Sequence, residues 1–359
     1  MTRTVIVVVC GSLVLVACGS RPLEERGTDG GVFDPSGPTL FASHENVCPP
    51  PPMEPPPGCT PPTSDPGPGG PEIPVSPYTW TVEGVRLDNS AAGVSGVIAD
   101  TSTIQLRDGG WRMFVYAGGR YRSATSADGL TFTMDAGARL PEGFGHIRVL
   151  RLTDGRIRAY SATGDGIASL VSSDEGMTFT REVGLRLSTS TIGFTPSGVS
   201  NIVRTREGTW RCYFSDLPRP GEGMKPHKVL SASSADLLTW MLDAGVRIGE
   251  GATLTGNAEH PAAIANADGS VSLFYFRNTN FKMLMATAAD GLTFTSEFDS
   301  GIPNANDPDL IPLGDGSVRM YYNWGNDTGG AIYSALYLGS PFAADVAVPV
   351  FRLSPGFRD

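Results

Sequence analysis

This chain lacks most of what would tie it to a structural metal, a nucleic acid or a membrane span. Its 359 residues hold five cysteines and four histidines, and none of these falls at the close spacing of a structural zinc site. Lysine and arginine number 27 against 37 aspartate and glutamate, for a net charge of −10, and the basic residues form no runs. That balance excludes a polyanion-binding surface and charge-driven attachment to anionic lipid. Part of the acidity, from Glu24 to Glu72, lies in a proline-rich stretch. The apolar run Val5 to Val16 is too short to persist as a spanning helix.

What is present is one short phrase, repeated. Its clearest copies are Ser126-Ala-Asp128-Gly-Leu-Thr-Phe132, Ser172-Ser-Asp174-Glu-Gly-Met-Thr-Phe179, Ser234-Ala-Asp236-Leu-Leu-Thr-Trp240 and Ala288-Ala-Asp290-Gly-Leu-Thr-Phe294. Each precedes a Gly-x-Arg-Leu-like segment, at Gly137-Ala-Arg139, Gly184-Leu-Arg186, Gly245-Val-Arg247 and a degenerate Ser300-Gly301-Ile302. A fifth copy, Tyr78-Thr79-Trp80 with Gly84-Val-Arg86-Leu87, stands ahead of the others. Between the copies an acid-Gly turn opens an alternating aromatic strand, after Asp108, Asp154, Glu207, Asp268 and Asp315. Acid-Gly pairs between apolar runs are hairpin turns, and β-branched and aromatic residues on a two-residue period are strands.

Repeats of short strands spaced by roughly fifty residues predict an all-β propeller. Five turns predict five blades. No Asp-x-x-x-Thr-Phe segment follows the last strand, Ala331 to Leu338, so the N-terminal segment Tyr78–Leu87 is expected to supply the missing outer strand. Closing the ring with strands from both ends removes free sheet edges. The domain reading is residues 76–359 as one propeller, 18–75 as a stalk and 1–17 as a leader.

The leader begins with Arg3 and ends Leu15-Val16-Ala17-Cys18-Gly19. Small residues before a cysteine at the end of an export signal resemble the lipobox of bacterial lipoproteins. That resemblance implies cleavage before Cys18 and diacylglycerol on its sulfur, with palmitate-type acyl chains held by about 0.8 kcal/mol per buried methylene. Gly19 is not the aspartate of an inner-membrane retention signal, so the expected location is the cell envelope, at either face of the outer membrane. The run from Pro49 through Pro71 favours extended polyproline II, about 3.1 Å per residue. Cys48 and Cys59 bracket its densest part and can close a small disulfide loop in an exported protein. Cys212 falls on an alternating strand and reads as a buried thiol.

The Ser-x-Asp-x-Gly-x-Thr-Phe phrase resembles the Asp-box of sialidases and other propellers. Its aspartates then cap their own turns, and its aromatics plug the space between sheets. The box marks the fold and carries no activity.

Chemistry is expected where the repeats differ. Eight residues before each turn acid, at the start of the innermost strand, stand Asp100, His146, Val199, His260 and Asp307. Two residues further on stand Ser102, Arg148, Asn201, Ala262 and Asp309. Inner strands surround a central channel, so equivalent positions converge on its axis. His227 lies in a Gly/Pro-rich insertion and reads as part of a solvated loop. Trp324, flanked by Asn323 and Asn326, is placed to stack on a sugar ring or to pack at an edge.

The segment Asn306-Asp307-Pro308-Asp309 through Asp315-Gly-Ser-Val-Arg-Met-Tyr-Tyr322, with Ala124-Thr-Ser-Ala-Asp128-Gly-Leu, resembles the five-bladed glycoside hydrolases of the arabinanase/levansucrase/invertase superfamily. The resemblance implies three inner-strand carboxylates: Asp307 as base, Glu259 as acid and Asp100 as the acid's tuning partner. Arg148 and Asp309, beside that ring, and Trp324 are the expected binding residues for a polysaccharide. Two carboxylates flanking one bond are what glycoside cleavage requires. The chain departs from the family in drawing these acids from blades one, four and five. Two other readings stand beside it. The acids can hydrogen-bond inner-strand amides, or His146 and His260 can join Asp100 and Asp307 around an axial cation, calcium or another divalent. No cofactor is required by the hydrolytic reading. Its alternative is a monomeric, non-catalytic module that binds a glycan or protein at the cell surface.

Overall fold

The computed structural model describes residues 73–338, apart from 75, 77, 218–225, 278–281, 304 and 325–329, and the backbone of a short hairpin pairing Ile6–Val9 with Ser12–Leu15. The expectations for Cys18, Cys48, Cys59 and the side chain of Trp324 fall outside the described residues.

Five antiparallel sheets follow one another along the chain as the blades of a propeller. Blade one runs outward through Ile98–Gln105, Trp111–Ala117, Arg120–Ser126 and Thr133–Met134. Blade two does so through Gly145–Arg151, Ile157–Thr163, Gly166–Ser172 and Thr180–Arg181, with Leu187–Ser188 also on its third strand. Blade three has an inner strand in two pieces, Thr195–Ser197 and Val203–Arg204, followed by Trp210–Leu217, Val229–Ser234 and Met241–Leu242. Blade four is Glu259–Ala265, Val271–Arg277, Lys282–Ala288 and Ser296–Pro303. Blade five is Ala305–Pro312, Val318–Trp324 and Ala331–Tyr337, and its outermost strand is Trp80–Asp88 from the other end of the domain. The ring closes as the repeats predict.

The core lies between blades. Phe274, Met285, Leu310 and Met320 are buried together where blades four and five meet, and Phe114, Leu140, Ile147 and Leu170 where blades one and two meet. Each such side chain contributes roughly 1.5–3 kcal/mol on leaving water. Cys212 is 3 % exposed in this core, and burial raises its thiol far above the usual range. It is an inert packing residue.

The Ser-x-Asp turns hold the seams. In each of four turns the aspartate Oδ1 accepts backbone N–H groups: Leu130 and Thr131 for Asp128, Thr178 for Asp174, Leu238 and Thr239 for Asp236, Leu292 and Thr293 for Asp290. The aromatic that follows meets the second strand of the preceding blade edge-on, at ring-centroid distances of 5.6–5.9 Å: Phe132 on Tyr321, Phe179 on Phe114, Trp240 on Tyr160, Phe294 on Tyr213 and Trp80 on Phe274.

Arginines add a second latch. Arg211 donates to the Asp290 carbonyl and pairs with Asp243 at 3.0 Å, while Arg247 donates to Leu292. Arg158 and Arg186 do the same for Leu237 and Leu238, Arg112 and Arg139 for Glu175 and Met177, and Arg86 for Leu130. The seam from blade four to blade five has neither arginine. Ser272 stands on the second strand and Ser300-Gly301-Ile302 on the outer one, because the turn they would grip, Tyr78-Thr79-Trp80, has no Ser-x-Asp loop. Ser76 and Asp299 close it instead through backbone bonds, Ser76 to Asp299 and Asp299 to Pro74.

Candidate functional site at the propeller axis

Four of the five inner strands break their register near their start. The pairing skips between Ala99 and Ser102, Gly145 and Arg148, Glu259 and Ala262, and Asn306 and Asp309. At these bulges Asp100, His146, His260 and Asp307 adopt left-handed backbone, with φ of 52°, 45°, 50° and 47°. Aspartate and histidine tolerate this region better than most residues, but it still costs roughly 1–3 kcal/mol at each position. The same strained backbone recurs at one level of the ring, at positions whose residues vary between repeats.

The fifth position corrects the sequence alignment. Val199 is fully buried and takes no part in the ring, and the left-handed residue of blade three is Gly198, at φ 58°. Blade three has one more residue between bulge and turn than the other blades, which counting back from the turn acid does not reveal. A Cβ on Gly198 would lie 3.1 Å from the His260 Cα, so close approach of blades three and four also demands glycine.

The four side chains pair across neighbouring blades. His146 Nδ1 is 3.0 Å from Asp100 Oδ1, and His260 Nδ1 contacts Asp307 Oδ1. The two imidazoles meet edge-on at a centroid distance of 4.9 Å. Asp307 is steadied by Asn323, whose amide, turned to satisfy both its ends, donates to Asp307 Oδ2 at 2.8 Å. Burial pushes the Asp100 carboxyl up, but His146, then His260 and Arg148, outweigh it and hold the group at about 2. Burial, then the neighbouring His146, lowers His260 to about 3. Asp100 is therefore an anion and His260 a neutral imidazole at neutral pH, the forms in which both ligate metals. One donor atom each from Asp100, His146 and His260 lies within 4.8 Å of the others. This arrangement fits a divalent cation.

A second tier lies along the same strands. Arg148 donates to the carbonyls of Thr101, Ile147 and Pro308, and Asp309 accepts from the Thr103 N–H at 2.6 Å and from Asn201 at 3.1 Å. Ser102 accepts from the Val149 N–H. Arg148 is 4 % exposed and Asp309 not at all, and burial raises the Asp309 carboxyl. These two expected binding residues tie blades one, two, three and five together at the axis. Their side chains are removed from solvent.

Glu259 turns aside from the ring. Its Oε1 accepts from Asn257 at 3.2 Å and lies 3.4 Å from His227 Nε2, while its Oε2 is 3.9 Å from His260 Nε2. His227 corrects its expected place in a solvated loop. It is 6 % exposed, with Nδ1 bonded to the Asp216 carbonyl at 2.6 Å and its N–H bonded to Asn257. The missed signal was position, since His227 lies two residues before the strand Val229–Ser234 and faces the start of blade four. The three carboxylates expected to act together are thus split: Asp100 and Asp307 sit in the ring with the imidazoles, and Glu259 stands beside it against His227.

No protein-family model matches this chain, and no curated protein matches it in sequence. Its fold is similar to several solved structures. A thermostable family-43 glycoside hydrolase superposes with a TM-score of 0.56 at 15 % identity, over 76 % of this chain and 99 % of the other. An endo-arabinase from Bacteroides thetaiotaomicron gives 0.55 at 16 % identity, over 72 % and 99 %. A member of the GH130 family, which includes glycoside hydrolases that target β-1,2 mannosidic linkages in Candida mannan, gives 0.52 at 15 %, over 77 % and 99 %. These likenesses establish the five-bladed architecture.

Proposed function

We propose that the protein is a carbohydrate-active propeller that engages an extracellular polysaccharide at the face where its inner strands begin. It is held to the cell envelope by an acylated Cys18 and the proline-rich stalk. The observation that carries this reading is the ring of Asp100, His146, His260 and Asp307, where the repeats abandon their common sequence and accept backbone strain. Propellers of this architecture that act on glycans, as the names of the similar structures state, support the choice of ligand. A divalent cation on the axis belongs to the same reading and would be held by the ring residues.

Hydrolysis is assigned to Asp307 as base, Glu259 as acid and Asp100 as the tuning carboxylate. Side-chain exposures of 6 %, 4 % and 15 % for these groups favour a second reading, in which the face binds a glycan without cleaving it. Catalysis on a polymer requires carboxylates that reach both sides of one bond. The purified full chain, incubated with a panel of polysaccharides alongside Asp307→Asn, tests both. Sugar release that the variant loses establishes the hydrolase, and retention of a polymer without release establishes the binder. Neither release nor retention with any polymer, from a folded chain, removes the proposal.

A further inference from the structure

The axial ring is selective by its chemistry. We infer that Asp100, His146 and His260, with Asp307 against His260, bind a first-row transition divalent cation of the zinc and cobalt kind, in preference to calcium, with a coordination position left for water or substrate. The inference rests on reading the axis as the working centre, and it is measured apart from any action on glycans.

The donor set decides the metal. Calcium takes six to eight oxygen ligands, and the ring offers carboxylates from only two residues. Its other donors are imidazoles, which suit zinc, cobalt, nickel and copper. Spacing agrees. Metal–ligand bonds of about 2.0–2.2 Å place adjacent donors of a tetrahedral site roughly 3.3 Å apart. His146 Nδ1 and Asp100 Oδ1 are 3.0 Å apart, and the three donors of Asp100, His146 and His260 span no more than 4.8 Å. Asp307 contacts His260 Nδ1 and so orients that imidazole, as carboxylate partners of ligating histidines do.

The surroundings are those of a ligand set held in place. Left-handed bulges fix all four backbones, Asn323 holds the outer oxygen of Asp307, and Glu259 stands behind His260 at 3.9 Å. Such supporting contacts orient metal ligands, and their loss commonly costs 10–100-fold in affinity. The fifth blade position contributes nothing, because Gly198 has no side chain and its Cβ site abuts His260. Three donors leave a fourth tetrahedral position for water or a substrate hydroxyl, the arrangement by which a working metal site differs from a closed structural one.

The test uses the full chain, stripped with a chelator and then given zinc, cobalt or calcium chloride singly. Zinc and cobalt are expected to raise the unfolding midpoint, cobalt with a visible d–d absorption band, while calcium at equal concentration leaves the midpoint unchanged. His146→Gln and the near-isosteric Asp307→Asn are each expected to weaken cobalt binding by at least about 10-fold. His44→Gln, ahead of the ring, is expected to leave it unaltered. Stabilisation by calcium alone, no cobalt band in the wild type, or cobalt binding unaffected in both ring variants would each overturn the inference. A cobalt band with neither release from nor retention of any polysaccharide leaves this inference standing and removes the proposed function. Action on a polysaccharide by a chain that binds no cobalt does the reverse.

Discussion

The rim and the axis of this propeller are built by opposite rules. At the rim one device is copied from blade to blade: an aspartate-capped turn, an aromatic wedge, and arginines reaching across the seam. At the axis the backbone is copied, a left-handed residue in every blade, and the side chains are all reassigned to aspartate, histidine or glycine. Repetition of side chains serves cohesion, since every seam poses the same packing problem. Repetition of backbone with divergent side chains suits the recognition proposed here, in which a ligand on the axis would meet each blade at a different point.

The largest effect expected from breaking this contrast is at the rim. Arg211→Ala removes one partner of a buried pair, with Arg211 8 % and Asp243 12 % exposed, and such losses cost about 3–5 kcal/mol. Equilibrium urea unfolding should show that loss, while the folded protein keeps whatever release or retention of polysaccharide the wild type displays. Trp80→Ala comes next, at about 2–3 kcal/mol, since the indole is only partly buried. The seam it closes lacks both arginines, so amide exchange over Trp80–Asp88 should accelerate more than exchange over any other outer strand. Uniform acceleration around the ring would show that the bare seam is not the weak one.

At the axis, Gly198→Ala forces a side chain into left-handed backbone against His260, for roughly 1–2 kcal/mol. The proposed glycan release or retention should fall at least tenfold, out of proportion to that cost. Retained action would mean that the closeness of blades three and four does not matter to the site.

Acid should loosen the rim. Hydrogen bonds from backbone N–H groups hold Asp128 at about 2 against an ordinary 3.8, and Asp236 lower still. Burial opposes the shift at Asp174 and Asp290, but the turn's hydrogen bonds lower both. A depressed carboxyl contributes its stability above about pH 4 and loses it as the pH falls towards 2. The urea midpoint should therefore decline through that window, and decline less steeply in Asp290→Asn.

Most of the rim was legible in the sequence because it repeats. Asp128, Asp174, Asp236 and Asp290 could be aligned without a structure, and the degenerate fifth copy at Trp80 marked the closing strand. The degenerate Ser300-Gly301-Ile302 also marked the bare seam, once the arginines at Arg139, Arg186 and Arg247 are known to cross seams. The axis was only partly legible. Asp100, His146, His260 and Asp307 fell at a constant distance from their turns, but one inserted residue in blade three put Val199 where Gly198 belongs. No local pattern shows that Arg148 and Asp309 face inward, or that His227 folds back on Glu259. Those placements depend on contacts between blades, as for Arg148 with Pro308, 160 residues away.

Hydrogen–deuterium exchange of the full chain, with and without the polysaccharide it retains best, tests the central claim most directly. The account predicts protection at the inner-strand starts, over 98–102, 145–148, 257–260 and 305–309, with the Ser-x-Asp turns unchanged. Protection confined to the rim, at turns such as 234–242, would contradict it and move the working surface away from the axis.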